Sequence, residues 1–78
     1  MADLKEAIAL LEAGDWEAAH VIVQDGSGRL EAWAHGIVHL LEGDRDNARY
    51  WYRQARRPWP DTVSVPEEIA ALRRDAGV

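Results

Sequence analysis

Leu4, Ala7, Ile8 and Leu11 recur three and four residues apart, the spacing that gathers side chains on one side of a helix. A first helix is therefore predicted, with Asp3 placed to cap its first amides and Glu6 three residues on in a capping-box arrangement. Gly14 supplies a left-handed stop, and Asp15 directly after it starts a second helix through Trp16, Ala19 and Val23. Val21, Ile22 and Val23 are β-branched and would suit a strand, but Ala18, Ala19 and the cap before them favour helix. Asp25, Gly26, Ser27 and Gly28 mark a turn, after which Leu30, Trp33, Ala34, Ile37 and Leu41 form the apolar face of a third helix. Gly43 and Asp44 repeat the stop and start. A fourth helix then carries Ala48, Trp51, Tyr52 and Ala55 and ends before Pro58, Trp59 and Pro60. Ser64, Pro66 and Glu67 open a last helix with Ile69 and Leu72 inward and Gly77 at its end.

Laying Gly14–Asp15 over Gly43–Asp44 brings Leu11 onto Leu40, Ala19 onto Ala48 and Val23 onto Tyr52, so the chain contains an internal repeat. Each helical hairpin has one face closed by its own partner helix and another that needs a neighbour, and stacking satisfies both. The predicted fold class is all-α: one domain over residues 1–78, with hairpins at 3–24 and 29–57 and a capping helix at 65–76.

The second hairpin resembles a tetratricopeptide repeat through Gly36, Gly43, Ala48, Tyr52, Ala55 and Pro60. The run from Asn47 to Ala55, with its Trp51–Tyr52 pair, is also similar to the second helix of Sel1-like repeats. The first hairpin keeps Ala7, Gly14 and Ala19 but has Gly26 where the family has alanine, which shortens its second helix. The likeness spans about residues 3–62, and the whole chain resembles short bacterial proteins with a tryptophan-rich hairpin plan. It implies a compact tetratricopeptide-like array and a role in binding peptides or proteins, since these folds serve mostly as scaffolds. Function itself resides in sites placed on a fold.

Composition narrows the chemistry. The 78 residues include four tryptophans, two tyrosines and no phenylalanine, so flat aromatics must supply much of a small core. Trp16, Trp33 and Trp51 fall on faces assigned to that core; Trp59, between two prolines, either folds back onto helix four or stands out as an anchor for a partner. With no cysteine, disulfides and thiolate metal sites are excluded. Neither a leader-like start nor a membrane-length apolar run is present, which points to a soluble, cytoplasmic protein. The net charge is −5, but residues 45–60 hold five arginines against Asp46 alone. An acidic body with one basic helix disfavours general nucleic-acid binding and permits a local anionic contact.

Two constellations carry possible chemistry. Glu31, His35, His39 and Glu42 fall on one flank of helix three; two histidines four apart can share a zinc ion, with Glu42 or His20 completing the set. The same spacing serves ordinary pairs, His35 with Glu31 and His39 with Glu42. Arg45, Arg49 and Arg53 recur every four residues along helix four, with Arg56 near the same line and Tyr50 turned from the apolar face. Such a stripe beside aromatics grips a phosphate, an acidic peptide or single-stranded nucleic acid, or else pairs with Asp46, Glu42 or the acidic last helix. Ser27 and Ser64 are placed as turn or capping residues rather than nucleophiles, and Thr62 makes no better case. The expected function is a protein–protein interaction module without enzymatic activity or cofactor. Its predicted contact surface comprises Arg45, Arg49, Arg53, Arg56, Tyr50, Trp59, Glu31 and His35. The alternatives are a structural homodimer and a metal-binding protein or metal-dependent enzyme built on His35, His39, Glu42 and His20.

Overall fold

Asp3, Asp15 and Asp44 each accept a hydrogen bond from the amide three residues on, at 3.1, 3.2 and 3.2 Å, satisfying a first-turn donor that a helix leaves open. From these caps run α1 (Leu4–Glu12), α2 (Trp16–Val23) and α4 (Arg45–Gln54). The other two helices, α3 (Arg29–Glu42) and α5 (Val65–Ala76), start at Gly28 and Ser64 without a side-chain cap, so the capping box expected at Ser64 and Glu67 does not form. The computed structural model describes residues 3–60 and 64–78, and among them there is no strand; Val21–Val23 are helical, and Thr62 lies outside the described residues.

Beyond α1, α3 and α5 the backbone turns through a left-handed glycine, Gly14, Gly43 and Gly77. α4 stops in the same way, with Arg57 N–H donating to the Tyr52 carbonyl at 2.9 Å, but its left-handed residue is Arg56, at φ +57°.

The centre of the molecule is α3, which packs against all four other helices. Each of its residues from Ala32 to His39 is buried, as a helix apolar around most of its circumference requires. Gly36 lets α4 approach: a β-carbon there would lie 2.6 Å from the Tyr52 ring. On the other side α5 lies against α1 and α3, giving a globule of 30 × 23 × 22 Å. The Glu68 carboxylate on α5 accepts hydrogen bonds from Tyr52 Oη at 2.6 Å and Trp33 Nε1 at 3.2 Å, so the two largest buried aromatics keep their polar ends satisfied. Burial, and then the bond to Glu68, raises the Tyr52 phenol well above its ordinary value. At the surface Arg73 grips Glu12 through two bonds of 2.7 and 2.8 Å, joining α5 to α1. Of the three tryptophans expected in the core, only Trp33 is fully buried; Trp16 and Trp51 are half-buried at its edge. Among the described residues no helix is long and apolar enough to cross a membrane.

Candidate functional site

His35 and His39 sit one turn apart on α3, and α2 brings His20 to meet them, so all three histidines of the chain converge. One ring nitrogen from each lies within 4.8 Å of the others. His20 Nε2 and His35 Nε2 are 3.0 Å apart, while the His35 and His39 rings are nearly parallel with centroids separated by 5.0 Å. Trp51 of α4 covers the opposite face of the cluster, its ring stacked on His35 at 3.9 Å and 10°. His35 and His39 are 6% and 9% exposed, so both belong to the interior rather than to a solvated flank.

The environment sets the protonation of His35. Burial, with the charges that His20 and His39 would carry beside it, lowers His35 from 6.5 to about 4. At neutral pH His35 is therefore an uncharged imidazole with a lone pair. Glu42 Oε1 lies 2.7 Å from His39 Nδ1, which holds that ring in place and leaves Nε2 as its ligating nitrogen. A hydrogen bond between two Nε2 atoms needs one proton shared between them. A metal ion accepting both lone pairs takes that proton's place, and at metal–nitrogen bonds of about 2.0–2.1 Å two tetrahedral ligands stand about 3.3 Å apart. The His20–His35 separation is near that value already. His39, Glu42 and Asp44 form a second group of the same span, but its carboxylates are engaged: Glu42 by His39, and Asp44 by the amide and side chain of Asn47. Those Asn47 bonds also keep the Asp44 carboxyl below its usual range.

The pair predicted between His39 and Glu42 forms, whereas His35 turns from Glu31 toward His20 and Trp51. Glu31 folds back beside Gly28. The arginine stripe is exposed along α4, where Arg49 and Arg45 stand over the Trp59 ring at 4.9 and 5.8 Å. Trp59 itself folds back, edge-on to Tyr52 at 5.4 Å. Tyr50 is 44% exposed and stands edge-on to Trp51. Arg56, left-handed at φ +57°, lines a cleft with Arg29, Leu30 and Trp33. Trp51 was assigned only to packing from its apolar spacing; nothing local to it signals the histidine it covers. No protein-family model, curated protein or solved structure matches this chain.

Proposed function

We propose that the protein binds a divalent transition metal ion of the zinc class through His20, His35 and His39, with Glu42 orienting His39 and Trp51 shielding the site. The observation that carries this reading is the convergence of all three histidines, with His20 and His35 at 3.0 Å and a carboxylate on the third ring. Three imidazoles suit zinc, copper, nickel or cobalt, and leave a fourth coordination position for water or a further ligand. In a competition titration against a chromophoric chelator at pH 7, zinc should bind one to one at micromolar concentration. His20→Ala or His35→Ala should abolish that binding while the circular dichroism stays helical, and Glu42→Gln should weaken it about tenfold. Stoichiometric binding that survives His35→Ala, or no binding in the wild type, refutes the centre.

A second reading keeps the interaction role and is favoured by the guanidinium groups over Trp59. Arg45 and Arg49 present fixed positive charge beside exposed Arg53 and Tyr50, against an acidic remainder, which suits an acidic peptide. The tetratricopeptide likeness belongs to this reading: Gly36 and Ala48, small where the family is small, permit the close α3–α4 contact. Anisotropy of a labelled polyglutamate peptide should rise with the wild type and not with Arg49→Glu, Arg53→Glu; equal binding by both dismisses the stripe.

A further inference from the structure

We infer that a separate cleft at the N-terminal end of α3 binds a small oxyanion, the phosphate group of a small phosphorylated molecule being the ligand class it fits. The cleft has a volume of about 230 Å³ and is lined by Arg29, Arg56 and Arg57 around Leu30, Trp33 and Asp75. Three guanidinium groups from two stretches of chain thus face one carboxylate, in a protein that is acidic as a whole.

The arginines are not consumed by internal bonds. Arg57 lies over the buried Trp33 ring at 3.9 Å, which fixes its plane. Its closest ionic contact, NH1 to Asp75, is 3.8 Å, beyond hydrogen-bond reach. Its Nε is buried without a partner, and among the described residues no side-chain hydrogen bond is made by Arg29 or Arg56 either. A planar fork of donors held by stacking is preorganised for two oxygens of a tetrahedral anion, and needs little further ordering to bind it. Inorganic phosphate would leave part of the cleft unfilled, hence the choice of a phosphate carried on a small molecule. Asp75, more than half exposed at its side chain, can swing aside as the anion enters.

This site does not depend on the histidine centre. Its test is a ¹H–¹⁵N correlation titration of metal-free protein, stripped on a chelating resin, with inorganic phosphate and glycerol phosphate; acetate at equal ionic strength is the control. The Arg57 Nε–Hε and Leu30 amide signals should shift saturably with both phosphates and not with acetate. Asp75→Asn should tighten binding, and Arg57→Lys should weaken it about tenfold through the lost fork. Shifts that do not saturate, that acetate reproduces, or that centre on Arg49 and Arg53 mean an adventitious ion only and overturn the site. If Arg57→Lys proves unfolded by circular dichroism, the wild-type and Asp75→Asn titrations decide.

Discussion

At the scale of single residues, His35 makes the most specific demand on solution conditions. Its folded value of about 4 lies below the ordinary 6.5 because its ring is buried beside His20 and His39. Between those two values the unfolded chain holds a proton on this residue that the folded one lacks. Stability is therefore complete above about pH 6.5 and falls toward pH 4, by up to ~1.4 kcal/mol per unit. Urea unfolding of metal-free protein at pH 7 and pH 5 should show this slope, and His35→Gln should flatten it; parallel slopes would remove His35 as the cause. Glu12 acts in a lower window. The Arg73 bond holds its carboxyl below the usual range, so its contribution is present above that range and disappears as pH falls through it. Gly36 tests packing at the same scale. Gly36→Ala places a methyl group against the Tyr52 ring and should cost about 1–3 kcal/mol in urea unfolding, unless α3 and α4 separate without penalty.

Individual helices are bounded by devices that act over four or five residues. The aspartate caps and glycine stops were readable along the chain for that reason, and α1, α3 and α5 end where those stops stand. α2 and α4 stop without a left-handed glycine: α2 ends on Gln24 in right-handed helical geometry, and α4, bounded in the sequence only by Pro58, turns through Arg56. A left-handed arginine carries backbone strain, so Arg56→Gly should raise stability by a few tenths to about 1 kcal/mol after the entropy of the added glycine is counted. A thermal scan measures it, and a lower midpoint would mean that Arg56 contributes packing or charge greater than its strain. The same variant should weaken phosphate binding in the cleft, which separates the residue's two roles.

For the whole molecule, the decisive arrangement is α5 against α1 and α3. The last unit of an open repeat array can be trimmed with loss of its own interface alone. Here α5 covers two helices and supplies Glu68 to the polar ends of Trp33 and Tyr52. A chain ending at Pro60 should therefore lose cooperative unfolding and most of its helical signal, because the apolar surface of α1 and α3 that α5 covers would be exposed to water. Circular dichroism of that fragment is the measurement; a native-like melt would show that residues 3–60 are self-sufficient.

The amino-acid pattern by itself determined five helices, the starts at Asp3, Asp15 and Asp44, the glycine stops at Gly14, Gly43 and Gly77, and the one-turn spacing of His35 and His39, all set by neighbours a few residues away. It also marked the buried face of α3 through Trp33, Ala34 and Ile37, because helical periodicity is a local property. Only the tertiary structure decided that His20 meets His35, that Trp51 covers that ring, and that Arg29, Arg56, Arg57 and Asp75 share a cleft. These groups come from different helices, and their distances depend on how α2, α4 and α5 pack around α3, which no spacing along a single helix encodes.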